Sequence, residues 1–107
     1  MSGFDKREDD FEKKFAHDEE LRFRAYARRN KMVGLWAAGK LGLTGAAADS
    51  YAAELVAASV ARTGNEDLLN RLRKDFDEKG VAQSDHQIQR TMEEMLARAV
   101  AEIQAGR

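Results

Sequence analysis

The sequence predicts an all-α protein, on three observations. Proline is absent, and alanine, leucine, glutamate, lysine and arginine dominate, residues that favour helix. Apolar residues recur at helical spacing through most of the chain. No stretch of useful length alternates apolar and polar residues as a half-buried strand would. The expected architecture is a four-helix bundle-like domain, residues 20–107, with a long first helix preceded by a mobile N-terminal arm, residues 1–19.

The first helical segment sets the problem of scale. Between Phe4 and Lys40 only Gly34 and Gly39 are strong breakers. One continuous helix over that stretch would be about 55 Å long at 1.5 Å per residue. A domain of this size has a radius of gyration of only ~13 Å, hence a diameter of roughly 33 Å. Part of the segment must therefore project, fold back or stay unfolded. Leu21, Ala25, Met32, Leu35 and Trp36 form one stripe, expected to face the core with Trp36 inside it. Phe4, Phe11 and Phe15 form a second stripe on nearly the same side, separated from the first by Asp18 and Arg22. They sit in "DKREDDFEKK", too highly charged to fold alone. Either this arm folds back to extend the bundle, or it lays its phenylalanines into a partner's groove and folds as it binds.

Three further helices follow. Gly42 is expected to end the first helix and Thr44 to cap the second, over about residues 45–62. "AAADSYAAELVAASVA" is apolar almost all round, which predicts close packing and a central, covered position. The third, near 65–79, places Leu68, Leu69, Leu72 and Phe76 on one face. Thr63 and Glu66 have capping-box spacing there, and Gly80 is the natural stop. The fourth, near 84–105, opens on a Ser84/Gln87 capping box and buries Ile88, Met92, Met95, Leu96, Ala99 and Ile103.

Composition excludes several classes. The 107 residues fit one domain with a modest core. Eighteen basic residues nearly balance nineteen acidic ones, for a net charge of −1, so nothing overall favours nucleic acid or an anionic membrane. Without cysteine there is no disulfide framework, thiolate metal site or cysteine nucleophile. The charged N-terminus does not resemble a signal peptide, and no apolar run approaches the ~20 residues of a membrane span. A soluble, intracellular protein is expected.

"GLWAAGKL", residues 34–41, imitates a P-loop up to its last position. A P-loop needs a preceding strand and a Ser or Thr after the lysine to ligate magnesium. Here the preceding "RRNKMV" is in helical register and Leu41 occupies the ligand position, so the glycines are read as a close helix crossing. His17 and His86 have no metal-ligand spacing, although His17 could titrate near pH 6.5 and alter the arm's charge. No catalytic constellation is visible among the carboxylates. "RFRAYARRNK", from Arg22 to Lys31, is a basic block suited to phosphate or acidic surfaces. The plainer reading is a solvated face paired with "HDEE" one turn upstream.

"FDKRE", "EKKFAHDEELRFRAYARRNK" and "GLWAAGKLGLTG" together resemble the zeta subunit family of alphaproteobacterial F-type ATP synthases, most densely over residues 4–45. The resemblance implies a four-helix domain and a non-enzymatic, inhibitory role. It implies a mobile N-terminal segment that inserts as a helix at an α/β interface of the catalytic head, against the central stalk, and blocks rotation in the hydrolysis direction. The positions carried over are Phe4, Asp5, Arg7, Glu8, Glu12, Lys14, Phe15, His17 and Asp18. Phe11 departs from the family pattern, and its role as an anchor rests on helical geometry alone. The implied setting is cytoplasmic, peripheral at the inner face of the plasma membrane through the ATP synthase, with the free protein monomeric and no cofactor required. Some members bind adenine nucleotides weakly. The alternative function is accordingly a nucleotide sensor that uses the basic block for phosphate.

Overall fold

The computed structural model describes residues 19–61 and 65–106. Those residues form four helices, with no strand among them: α1 over Glu19–Lys40, α2 over Gly45–Ala61, α3 over Asn65–Lys79 and α4 over Asp85–Gln104. Each boundary lies within one residue of the position expected from caps and periodicity.

The ends form where side-chain chemistry demands. At the end of α3, Val81 N–H donates to the Phe76 carbonyl (2.8 Å) and Gly80 N–H to that of Asp77 (3.2 Å). That paired closure needs a left-handed residue, and Gly80 supplies it at φ +68°. The same pair of bonds closes α1 at Gly42. The capping box of α4 is complete: Gln87 N–H donates to Ser84 Oγ (3.1 Å) and Ser84 N–H to Gln87 Oε1 (2.9 Å). Thr63, half of the other expected capping box, lies outside the described residues.

Helix α1 is the central element, packed closely along α2 on one side and α4 on the other, whereas α3 and α4 approach at few points. This corrects the expectation that the alanine-rich α2 would be central. Among residues 45–58 of α2, whose burial is described, only Tyr51, Ala52 and Leu55 are buried, and Ala46, Ala47, Ala53, Ala57 and Ala58 are exposed. Alanine gains little from burial and costs little in water, so it marks helix preference more than depth.

The buried face of α1 is also rotated from the expected stripe. Ala25, Tyr26, Arg29, Asn30, Val33, Gly34, Ala37 and Ala38 are inside, while Leu35 is 41% exposed. The reason is the α2 crossing. An added Cβ on Gly34 would stand 2.7 Å from the Ala52 Cα, so the two backbones are nearly in contact. Only the small-residue side of α1 permits that approach. Trp36 is consequently half-buried at the rim, meeting Phe76 edge-on at 5.7 Å and 89°. Leu68, Leu72 and Phe76 of α3 and Ile88, Met92, Leu96 and Ala99 of α4 are buried as their spacing required.

Candidate functional site

Every residue carried over for partner binding, from Phe4 to Asp18, and with them Phe11, lies outside the described residues. The structure shows what the arm is attached to. Helix α1 opens with Glu19 and Glu20, two exposed acids that suit the positive end of the helix dipole. Its first apolar residue, Leu21, packs with Val100 and Ile103 around Ala25, Tyr26 and Leu96. Helix α1 thus begins beside the C-terminal turns of α4.

The imitation P-loop is a helix. Gly34 through Lys40 form the last two turns of α1, with Gly34 buried under Ala52 and Lys40 exposed at the end. Earlier turns of the same helix precede it where a P-loop has a strand, and nothing would touch a Cβ on Gly39.

The basic block divides by position. Arg24 and Lys31 are exposed, Arg22 is half-buried, and Arg28 meets Glu102 of α4 at 3.4 Å. Arg29 is buried, at 1% exposure. Its Nε donates to Asn30 Oδ1 (2.7 Å) and its Nη1 to Asn65 Oδ1 (2.6 Å), with the guanidinium carbon 4.9 Å from the Tyr26 ring centre. Asn30 Nδ2 in turn donates to the Leu55 carbonyl (3.2 Å). A charge this deep is tolerable only with hydrogen bonds and an aromatic face around it. The result is a polar chain tying α2, α1 and α3 together.

Arg29 also lines a cleft of about 670 Å³ between α3 and α4. Leu69, Met92 and Leu96 supply apolar walls, while Glu66, Glu93, His86 and Arg90 supply charge of both signs or, for His86, an ionisable ring. The cleft exists because α3 and α4 make few close contacts with each other. Sequence reasoning missed it, for no local pattern reports an angle between helices. The burial of Arg29 had a signal: it stands four residues before Val33 and four after Ala25, on the inner face.

A second polar group joins α2 to α3. The Tyr51 hydroxyl donates to Asp75 Oδ2 (2.6 Å), which also accepts from Arg71 Nε (2.7 Å). Arg71 Nη2 reaches Glu54 (3.1 Å), and its guanidinium lies 5.3 Å from the Tyr51 ring centre. Among the described residues no group of His, Asp and Glu is arranged to hold a metal ion, and no helix is long and apolar enough to cross a membrane.

These features define a small all-helical domain in which buried and half-buried polar side chains link neighbouring helices. Residues 1–102 match the family model for ATPase inhibitor subunit zeta, and the chain belongs to that family. Its role is therefore that of a regulatory inhibitor subunit of an ATPase. No curated protein matches the chain.

Proposed function

We propose that residues 1–19 are the inhibitory element, inserting as a helix at an α/β interface of the catalytic head of an F-type ATP synthase. There the arm obstructs rotation of the central stalk in the hydrolysis direction, and the four-helix domain stays outside as its carrier. One observation supports this reading: the family match takes in the charged stretch that holds Phe4 and Phe15, with Phe11 added on helical spacing alone. Most large apolar side chains of the described helices, by contrast, are packed into two core clusters, with Phe23 and Leu35 the exposed exceptions. Phe4, Phe11 and Phe15 are the anchors, each contributing roughly 1.5–3 kcal/mol on burial, offset by the entropy of ordering the arm. Asp5, Arg7, Glu8, Glu12, Lys14, His17 and Asp18 form the polar rim of the contact. The protein then works in the cytoplasm, at the membrane only through its partner.

Deleting residues 1–19 tests this. Inhibition of ATP hydrolysis disappears while the thermal midpoint stays within a few degrees of the intact chain. Phe15→Ala weakens inhibition strongly and Phe11→Ala more mildly, without unfolding the domain. A truncated chain that still inhibits moves the block to the helical domain, and the exposed Arg24 and Lys31 become its first candidates.

A second reading, adenine-nucleotide sensing, draws on the cleft, where Arg29 from the basic block meets apolar walls. Nucleotide binding that survives removal of the arm and of the Lys40 side chain (Lys40→Ala), but is lost in Arg29→Gln, supports it. A hundredfold loss in Lys40→Ala would restore the P-loop reading.

A further inference from the structure

Phe23 and Leu35, at 42% and 41%, are the exposed large apolar side chains of the described helices, and both stand on α1. Between them lie Arg24 and Lys31, both exposed, with half-buried Ala27 in the middle. At about 100° per residue these side chains fall within roughly a third of a turn, over about 18 Å of helix. We infer that this face of α1 is a docking surface for an acidic patch on a partner protein, separate from the contact made by the arm. The inference rests on attachment to the catalytic head only for the choice of partner in its test.

Charge selects the occupant. From Leu21 to Ala48 the sequence holds no acidic residue, while Arg22, Arg24, Arg28, Arg29, Lys31 and Lys40 fall within that stretch. Both arginines of α3 are met by acids, Arg71 by Asp75 and Glu54 and Arg73 by Asp77 and Asp85. Arg28, at the edge of the α1 face, is met by Glu102. Arg24 and Lys31 enter no ion pair among the described residues. A cationic strip between two apolar ends is complementary to carboxylates flanked by apolar seats.

Other occupants match it less well. A second copy would set the basic face against itself, because a twofold contact uses the same patch on both sides. An anionic bilayer is recognised by clusters of roughly four to eight cations, and nucleic acid by an extended basic footprint. This face presents only Arg24 and Lys31 to solvent.

Size sets the role. One helix face of this length buries less than the ~1,200–2,000 Å² of a stable complex, so alone it holds a partner weakly. Joined to the arm it is the second of two tethered contacts, and such pairing raises affinity without altering either contact. The domain then contributes to the grip as well as carrying the arm.

The test measures binding of the full chain to the purified catalytic head, with inhibition of ATP hydrolysis recorded in parallel. Arg24→Glu with Lys31→Glu should weaken binding at least about tenfold at low salt and flatten its salt dependence. Lys74→Glu with Lys79→Glu makes the same change of charge at exposed lysines of α3. It should alter binding less than about twofold. Phe23→Ala with Leu35→Ala should weaken binding about fivefold and keep the salt dependence. All three variants should melt within a few degrees of the parent, since every substituted side chain is exposed.

Equal losses from the α1 and α3 reversals, or none from either, overturn the proposal. Binding of the parent to phosphatidylserine vesicles or duplex DNA more tightly than to the head, lost in the α1 reversal, overturns it too. So does a dimer that the parent forms and the α1 reversal abolishes. A reversed chain that binds as the parent does, beside an arm-deleted chain that no longer inhibits, brings down the docking face and leaves the arm. An arm-deleted chain that inhibits fully until α1 is reversed sustains the face and brings down the inhibitory reading of the arm.

Discussion

In the α1–α2 hairpin the backbones themselves meet: Gly34 lies against Ala52 with no room for a methyl group between them. In the α3–α4 hairpin the helices touch closely at few points. There the structure relies on a few large side chains and on Arg73, which reaches Asp77, Asp85 and the Gln83 carbonyl across the connecting turn. The first hairpin is dense. The second is wedge-shaped and leaves the cleft. Small residues hold one pair of helices together by proximity, and bulk props the other pair apart.

The largest effect should come from removing the prop. Phe76 is fully buried between the hairpins and takes the edge of Trp36. Phe76→Ala should cost about 3–5 kcal/mol in chemical denaturation, the range for deleting a buried phenyl group. Trp36 is the only tryptophan, so its fluorescence reports the change directly. A loss below about 1 kcal/mol would mean that the wedge collapses to fill the void and that bulk does not set its angle.

Next in size is a change of sign within α1. Gly34→Ala places a Cβ 2.7 Å from the Ala52 Cα and 3.1 Å from its Cβ, so the helices must part, at about 1–3 kcal/mol. Gly39→Ala meets nothing within 4 Å and should stabilise by about 0.5–1 kcal/mol through helix preference. Measured as urea midpoints, the two glycines of "GLWAAGK" should move in opposite directions. Stabilisation by both would show that the close crossing does not hold the first hairpin.

The sequence made the helices and their ends legible because those depend on neighbours within four residues. Ser84 with Gln87, Gly42 and Gly80 each act locally, and each was readable. The apolar faces of α3 and α4 were readable for the same reason, since Leu68, Leu72, Ile88 and Met92 obey a single period. What failed depends on how helices approach one another. Leu35 belongs to the more hydrophobic stripe, yet the approach of α2 selected the smaller side of α1 and left it outside. Arg29 reads as a surface charge until Asn30, Asn65 and Tyr26 are brought around it. The cleft follows from the spread of α3 and α4, which no residue announces.

The smallest expected effect concerns the tie between α2 and α3, and it carries a pH signature. Tyr51 is buried, and its hydroxyl donates to Asp75. Burial raises the phenol's pKa well above its ordinary value, helped by the hydrogen bond to Asp75 and that group's negative charge, while Arg71 partly opposes the rise. Tyr51→Phe keeps the ring packed and leaves Asp75 bonded to Arg71, so the loss near neutrality should be roughly 1–2 kcal/mol. The sign of the pH dependence follows from linkage. A phenol that holds its proton more tightly when folded contributes fully below its unfolded pKa, about 10, and loses that contribution as pH rises towards the folded value. The stability gap between the parent and Tyr51→Phe should therefore be constant up to about pH 9 and narrow by about pH 11. Groups common to the two proteins cancel in the difference. A gap that holds constant into the alkaline range would mean that the Tyr51 proton does not contribute to the tie. The polar tie between α2 and α3 would then rest on Arg71, Asp75 and Glu54.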